Sequence, residues 1–349
     1  MNIGNEASRK PFFSRHKKLF IFLGAFITIV ALIALAFRLS PAPGAFVIRY
    51  VFDKDAKEKR VALEAHTPRE RVVVRSDIPY LEKNDMTKLD VYIPQRVIDT
   101  DTPLPTIIWT HGGAWLSGDK TDTAPYFKLL ADRGFTVIAP NYSLAPGKAY
   151  PTQLTQLIAA HDYILKNARS LHVDPTRIIL AGDSAGAQLS AQLAALSTNS
   201  AYAHEIGITP SLSENNIAAA VLYCGIYDLK KLATPNDTLP KIVGWGTDIT
   251  VWSYSGTRDR DARILERMSP INYLTRSFPK TFISGGNADL LTKTQSEPLN
   301  ASLKRLGVDT TTLFYPDDHL PALNHENQFV LDEDGLKNFQ TLVAFLDTL

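Results

Sequence analysis

The sequence predicts an α/β protein in which a mostly parallel central sheet is covered by helices on both faces. From residue 71 onwards, short segments rich in β-branched residues alternate with longer segments whose apolar positions recur every three or four residues. Most of the short segments are apolar throughout, which is typical of strands that are buried on both faces. The alternation therefore favours a doubly wound sheet with right-handed crossovers.

Composition, spacing and terminal residues predict the individual elements. Pro140 ends one strand, and Gly134 has the position of a C-cap after the helix before it. Eight segments are predicted as strands: RVVVR (71–75), KLDVYIP (88–94), PTIIWTH (105–111), FTVIAP (135–140), RIILAGD (177–183), IAAAVLYCG (217–225), KTFISGG (280–286) and TTTLFYP (310–316). The predicted helices span residues 124–134, 152–168, 183–197, 292–306 and 335–346.

Charge and cysteine content exclude several classes of protein. The net charge of +1 lacks the basic excess that a nucleic-acid-binding surface needs, so no nucleic-acid partner is expected. Cys224 is the single cysteine, which excludes an intrachain disulfide and a zinc site built from several thiolates. It lies in an apolar predicted strand and is expected to be a small core residue.

An apolar segment near the N-terminus predicts a membrane span. Residues 19–37 contain no charged side chain and are long enough to cross a bilayer core. Basic residues are concentrated before this segment: Arg9, Lys10, Arg15, Lys17 and Lys18. This bias predicts that residues 1–18 are a cytoplasmic tail and that the rest of the chain is extracytoplasmic, on the periplasmic or external side. The alternative is a signal peptide cleaved near Ala34–Ala36, followed by secretion.

The remaining chain is divided into a linker and one large domain. Residues 38–70 contain prolines and a charge-rich run, so we expect a linker that includes at most a short amphipathic helix. The α/β domain is expected to span residues 71–349. Residues of about 228–270 interrupt the alternation of strands and helices, and such a long insertion predicts a cap segment over a functional site.

A candidate nucleophile lies where a predicted strand runs directly into a predicted helix. Residues 182–186 read Gly-Asp-Ser-Ala-Gly, a pattern that holds a serine on a sharp strand-to-helix turn and exposes its oxygen above the sheet. Ser184 is the predicted nucleophile. The alternative interpretation, a serine that only caps the helix, explains the helix start but not the flanking glycines.

Backbone donors for a developing oxyanion are predicted beside this serine. His111-Gly112-Gly113-Ala114-Trp115 directly follows a strand, and consecutive glycines allow the backbone to approach a substrate closely. We expect the N–H groups of Gly112, Gly113 and Ala185 to form the oxyanion hole.

The acid and the base of a triad are expected after the serine, in that chain order. Asp289 follows the strand KTFIS and is the predicted acid, with Asp228 as the alternative. Two histidines, His319 and His325, follow the last strand and are both candidates for the base. His319 has the simpler geometry, because it comes almost at once after the strand.

With these residues placed, residues 71–349 resemble the hormone-sensitive-lipase-like branch of the α/β-hydrolases, the fold-3 bacterial carboxylesterases. The shared motifs are HGGAWLSGDK (111–120), NYSLAP (141–146), YPTQL (150–154), GDSAG (182–186), SPINYL (269–274) and GGNADLL (285–291). Ala114 and Ser143 depart from the pattern of the family, which has glycine and arginine at the matching positions. HENQF (325–329) is similar to a histidine motif of a bacterial subgroup, which favours His325 as the base, whereas the spacing from Asp289 is nearer the family norm for His319.

The resemblance implies a serine hydrolase that cleaves carboxylic esters with short to medium acyl chains through an acyl-enzyme. It implies a small-molecule ester substrate, no metal and no organic cofactor. We expect four aromatic residues to form the acyl pocket: Trp115, Trp245, Trp252 and Tyr254. An amidase, a deacetylase or an acyltransferase with the same triad is an alternative function. A non-catalytic sensor on this fold is a further alternative, but such a protein is expected to lack a member of the triad.

Overall fold

The computed structural model describes residues 16–67, 71–82, 84–235 and 240–349. Its centre is an eight-stranded sheet with the strand order β1-β2-β4-β3-β5-β6-β7-β8. β1 and β2 run antiparallel to their neighbours, and every pairing from β4 to β8 is parallel. The strands are β1 (Val72–Pro79), β2 (Lys88–Pro94), β3 (Leu104–Thr110), β4 (Thr136–Pro140), β5 (Val173–Asp183), β6 (Ile217–Tyr223), β7 (Lys280–Gly285) and β8 (Thr310–Phe314).

Helices cover both faces of the sheet. The helices of the described part are α1 (Lys17–Leu39), α2 (Ala42–Glu64), α3 (Ala124–Asp132), α4 (Thr152–Lys166), α5 (Ser184–Thr198), α6 (Ser200–Ile206), α7 (Leu229–Ala233), α8 (Lys241–Ser255), α9 (Arg263–Arg267), α10 (Glu297–Arg305) and α11 (Glu333–Leu346). Residues of α3 and α11 bury one face of the sheet, and residues of α4, α5 and α10 bury the other. The predicted mostly parallel α/β fold is confirmed.

Successive strand residues explain why the strands are apolar throughout. In β5, Ile178 and Leu180 belong to the core on one side of the sheet, whereas Ile179 and Ala181 belong to the core on the other. Side chains alternate between the two faces of a strand, so a sheet with two cores needs apolar residues at consecutive positions.

Helix α1 has the length and composition of a membrane span. Its mean hydropathy is 2.9 over the most apolar window, and none of that window is buried against the rest of the structure. A long apolar helix near the N-terminus is compatible with either a membrane anchor or a signal sequence.

The segment expected to be a linker is instead dominated by a long helix. Helix α2 packs against α3 and α8, and its residues Ala45, Ile48 and Leu63 are buried. Ala45 and Ile48 are three residues apart, and Ala45 and Leu63 are 18 residues apart, which is five full helical turns, so the three share one face of the helix. The charge-rich run indicated a linker, but part of its charge is paired in the helix. Lys59 binds Asp55 of the same helix at 2.8 Å and Glu326 outside the helix at 2.7 Å.

The insertion between β6 and β7 contains helices α7, α8 and α9. Residues 236–239 of this insertion lie outside the described residues. Gly44 of α2 lies against Ile249 of α8, where a β-carbon would crowd the isoleucine side chain. Helix α2 and the insertion therefore lie side by side, and both contribute residues to the cavity that contains Ser184.

We expect Leu63→Ala to lower the free energy of unfolding by about 2–5 kcal/mol, because it removes a fully buried side chain at the contact of α2 with the domain. Val61→Ala is the matched control: Val61 is 69% exposed on the same helix turn, and the expected change is within about 0.5 kcal/mol. Guanidinium unfolding of the detergent-solubilised full chain, followed by tryptophan fluorescence, measures both. Equal, small effects of the two substitutions would contradict the integral packing of α2.

Candidate active site

The parallel register brings the candidate residues to one edge of the sheet. Thr110 of β3 pairs with Gly182 of β5, and Asp183 pairs with Tyr223 of β6. The loops that follow these strands therefore begin side by side. The carboxyl edge of such a sheet is where ligands bind in this class of fold.

Ser184 lies on a strained turn between β5 and α5. Its φ angle is +50°, in the left-handed region that non-glycine residues rarely adopt. A β-carbon at Gly186 would collide with the carbonyl oxygen of Thr110, so the turn can pass β3 only if this position is glycine. The turn holds Ser184 at the lip of a cavity, as the strand-to-helix pattern predicts.

His325 lies between Ser184 and Asp289. Its Nε2 is 3.0 Å from Ser184 Oγ, and its Nδ1 is 2.8 Å from Asp289 Oδ2. The backbone N–H of Leu291 donates to the other Asp289 oxygen at 2.9 Å. The carboxylate is therefore held from its own loop and orients the imidazole.

The loop that follows β7 also positions the loop that carries the histidine. Asn287 Nδ2 donates to the carbonyl of His319 at 3.0 Å, and Asn287 Oδ1 accepts the N–H of Leu323 at 2.9 Å. The N–H of Ala288 donates to the carbonyl of Leu323. These bonds hold both sides of an irregular loop, which explains how a residue eleven positions beyond β8 reaches the serine.

The two alternative residues lie elsewhere in the structure. His319 Nε2 is 2.8 Å from Asp334 Oδ2, so this ring is paired with α11 rather than with Ser184. Asp228 caps α7 by accepting the N–H of Lys231. Neither side chain is hydrogen-bonded to the serine or to His325.

The glycine loop lies beside Ser184 and is held by an aromatic stack. His111 stacks on Tyr142 with ring centroids 4.3 Å apart, and Tyr142 Oη donates to the carbonyl of His111. Gly113 has a φ of +95°, which its lack of a side chain permits. Gly112 and Gly113 both line the cavity around Ser184, whereas Ala185 is buried at the start of α5.

A buried carboxylate stands directly behind the serine. Burial and the nearby Glu326 raise the pKa of Asp183 to about 7, against the opposing hydrogen bonds from Trp109 Nε1 and the backbone of Gly112. Asp183 also lies close to the glycine loop, because a β-carbon on Gly112 would collide with Asp183 Oδ2. The sequence indicated Asp183 only as part of the turn motif.

Cys224 lies next to the histidine, which the sequence did not indicate. Potential ligand atoms of Cys224, Asp289 and His325 all fall within 4.8 Å of one another, the spacing that a metal ion would need. The Asp289 and His325 atoms of this group already hydrogen-bond to each other. Burial raises the pKa of the Cys224 thiol above its usual 9.0, so the thiol is protonated at neutral pH.

Opposing influences act on the charge of His325. Burial lowers the pKa of His325, whereas Cys224 and Asp289 raise it, and the net pKa lies well above the usual 6.5. Because the Cys224 thiol is protonated at neutral pH, the Asp289 carboxylate is the charge that stabilises the imidazolium there.

An ion pair from α2 reaches the neighbour of the histidine. Lys59 Nζ is 2.7 Å from Glu326 Oε2, and Glu326 Oε1 is 4.0 Å from His325 Nε2. Glu326 has a φ of +60°, a conformation that turns the chain sharply after the histidine. Burial lowers the pKa of Lys59, but Glu326 and Asp55 outweigh it and keep the ammonium charged.

Residues of the segment that was expected to be a linker form part of the wall of the cavity above Ser184. It has a volume of about 930 Å³, and Ile48 and Phe52 of α2 form part of its wall. Val243 of α8 and Leu291 after β7 contribute further apolar surface. A volume in this range accommodates a small-molecule ligand.

The expected aromatic pocket requires correction. Trp115 lines the cavity, but Trp245 and Trp252 line a separate cleft, and Tyr254 is fully buried with its ring stacked on Trp115 at 4.3 Å. The reason is the helical period of α8. Trp245 and Trp252, seven residues apart, share one face, whereas the face towards Ser184 carries small and aliphatic residues: Val243, Gly246, Thr247 and Thr250.

Curated relatives of this chain include several esterases. The chain is 26% identical over 244 residues to the esterase LipQ of Mycobacterium tuberculosis, an alignment that covers 68% of this chain and 54% of LipQ. It is 26% identical over 263 residues to the versiconal hemiacetal acetate esterase of Dothistroma septosporum, covering 71% of this chain and 75% of that protein. The chain thus spans about half the length of LipQ.

Solved structures show the same fold. Esterase B from Lactobacillus rhamnosis superposes with a TM-score of 0.74 at 20% identity, covering 88% of this chain and 95% of that chain. An esterase from Pyrobaculum calidifontis has a TM-score of 0.67 at 20% identity, covering 87% and 92%. These similarities confirm the predicted resemblance to the α/β-hydrolase carboxylesterases at the level of fold.

A family model extends the similarity along the part of the chain that carries the site. The BD-FAE model matches residues 89–303, which include the glycine loop, Ser184 and Asp289. Because this match covers more than half of the sequence, the chain belongs to the BD-FAE family and has the α/β-hydrolase fold.

Proposed function

We propose that the protein is a carboxylic ester hydrolase in which Ser184 is the nucleophile, His325 the general base and Asp289 the orienting acid. The supporting observation is the continuous chain of hydrogen bonds at 3.0 Å and 2.8 Å that joins the three side chains. His325 accepts the Ser184 proton as the oxygen attacks the ester carbonyl, and it donates that proton to the departing alcohol. Water, deprotonated by His325, then releases the acid from the acyl-enzyme.

The negative charge of each tetrahedral intermediate needs nearby donors. We assign the N–H groups of Gly112, Gly113 and Ala185 to this role, with each donor expected to stabilise the transition state by about 3–4 kcal/mol. In this assignment, the strained turn at Ser184 directs the first N–H groups of α5 towards the substrate.

The proposed substrate is an ester of a short to medium acyl chain. A cavity of about 930 Å³ with Phe52, Val243 and Leu291 in its wall supports an apolar acyl group. The names of the relatives, which are esterases, support ester over amide cleavage. An amidase, a deacetylase and an acyltransferase would use the same side chains, and the substrate panel below separates them from an esterase. A non-catalytic sensor is disfavoured by the intact triad geometry.

We also propose that α1 anchors the enzyme in a membrane and that the α/β domain lies on the extracytoplasmic side. The proposal rests on the uncharged apolar helix and on the basic residues that precede it. Secretion after cleavage of this helix is the alternative.

Ser184→Ala is expected to reduce kcat for p-nitrophenyl esters by about 10⁴-fold or more, because the acyl-enzyme can no longer form. His325→Ala should cause a comparable loss. His319→Ala is the matched control and should retain kcat within about tenfold, since its ring pairs with Asp334. The measurement is initial rates of the full chain in detergent over acyl chains from acetyl to dodecanoyl, beside matched anilides and acceptor alcohols. Folded wild-type protein without serine-dependent ester turnover would refute the proposal.

Activity should fall as the pH falls through the pKa of His325, because only the neutral imidazole accepts the Ser184 proton. With the Cys224 thiol neutral, the hydrogen bond and charge of Asp289 raise this pKa, so the acid limb of the kcat/KM profile is expected above the usual 6.5 of a histidine. Lys59→Met leaves the Glu326 carboxylate uncompensated at 4.0 Å from the imidazole and should move this limb to higher pH.

Two further variants separate charge from structure in this prediction. Lys59→Arg keeps the positive charge and should restore the wild-type limb. Glu326→Gln added to Lys59→Met removes the uncompensated carboxylate and should reverse the shift. The measurement is the pH–rate profile of the wild type and of the three variants. If these profiles differ only in the height of their plateau, Lys59 does not influence the charge of His325.

A further inference from the structure

Helix α2 exposes an apolar surface on the side that faces away from the domain. Phe46 and Tyr50 are 71% and 68% exposed, and Val47 and Val51 are also exposed. These four residues are spaced one and four apart, so they form one continuous patch, which we call the α2 apolar face. A contiguous exposed apolar patch of this kind is typical of a surface that contacts a partner or a membrane.

The opposite side of α2 is firmly attached, so the α2 apolar face cannot be buried by rotation of the helix. Ala45 and Ile48 are buried against the domain. Arg49 donates to the carbonyls of Leu116 and Ala145, near the glycine loop and the second family motif. Turning the helix inward would break these contacts.

The outward surface of α2 changes character along the helix. Its first half carries the α2 apolar face, whereas the exposed side chains of its second half include three charged residues: Lys54, Lys57 and Glu58. The apolar part is the half next to α1. A partner for the α2 apolar face must therefore lie close to the end of α1.

The position of the α2 apolar face beside α1, the proposed membrane anchor, points to a bilayer as its partner. Helix α1 ends at Leu39 and α2 begins at Ala42. With a rise of about 1.5 Å per residue, the α2 apolar face lies within roughly 15 Å of the start of α2. That distance corresponds to the headgroup region and its boundary, where aromatic side chains are enriched. Arg258 of the insertion donates to the carbonyl of Arg38, which ties the domain to this junction.

We propose that the α2 apolar face rests in the headgroup boundary of the membrane and holds the mouth of the Ser184 cavity at the bilayer surface. Ile48 and Phe52, on the same helix, line that cavity. Esters that partition into the bilayer can then enter along α2 without crossing bulk water. The inference rests on the proposed esterase function for its substrate class, which is a membrane-dissolved ester.

Site-specific labelling tests the docking independently of activity. Cys224 is fully buried, so a thiol-reactive nitrobenzoxadiazole probe reports selectively on a cysteine introduced at an exposed position. Full chain with Phe46→Cys or Tyr50→Cys is reconstituted into phosphatidylcholine–phosphatidylglycerol vesicles. Val61→Cys, an exposed apolar position at the far end of α2, is the matched control.

Labels at positions 46 and 50 should be quenched by spin-labelled lipid and protected from iodide, whereas the label at position 61 should be quenched mainly by iodide. Equal iodide quenching at all three positions would overturn the proposal. In rate measurements, the double variant Phe46→Ser/Tyr50→Ser should lose several-fold in kcat/KM towards an ester dissolved in the vesicles and keep its rate on p-nitrophenyl acetate.

The two arms distinguish failure of the inference from failure of the proposed function. Equal losses on the dissolved and soluble esters, or no loss on either, would reject delivery of substrate from the bilayer. Absence of all serine-dependent turnover would reject the esterase function, while the quenching pattern would still decide whether α2 contacts the membrane.

Discussion

The strained backbone of Ser184 is the constraint on which the site depends. A left-handed residue at the end of β5 lifts the serine oxygen out of the sheet and starts α5 at the same point. The turn can exist only because Gly186 lies against the backbone of β3, where a side chain would collide. The conformation is costly by itself, and it is maintained because the parallel strands on both sides of β5 hold the chain in place.

Contacts between loops at the carboxyl edge complete the arrangement. The backbone N–H of Leu291 orients Asp289, which in turn orients His325, while Asn287 holds the loop that carries His325. Helix α2 adds a further support, because Lys59 neutralises the glutamate that follows the histidine. The N-terminal helices thus connect a candidate membrane span to the groups that surround the proposed nucleophile.

The sequence was informative where function requires a local backbone constraint. The fold could be predicted because strands and helices alternate along residues 71–349. The sharp turn at Ser184 could be predicted from residues 182–186, and the oxyanion role of Gly112 and Gly113 stays a prediction. The choice between His319 and His325 could not be made from spacing, because the loop after β8 is irregular and its path depends on side chains such as Asn287. The packing of α2 against the domain was not predicted, because its many charged residues obscured the apolar face that is buried. The cleft that Trp245 and Trp252 line could not be predicted either, because it depends on the rotation of α8 about its axis.

The most direct test of the account is whether Ser184 itself becomes covalently acylated. Full-length protein would be treated with a fluorophosphonate that mimics an ester, digested and mapped by peptide mass spectrometry. We expect one adduct, on the peptide that contains Ser184, which disappears in Ser184→Ala and forms much more slowly in His325→Ala. An adduct on another residue, or labelling that is unchanged in Ser184→Ala, would contradict the assignment of the nucleophile.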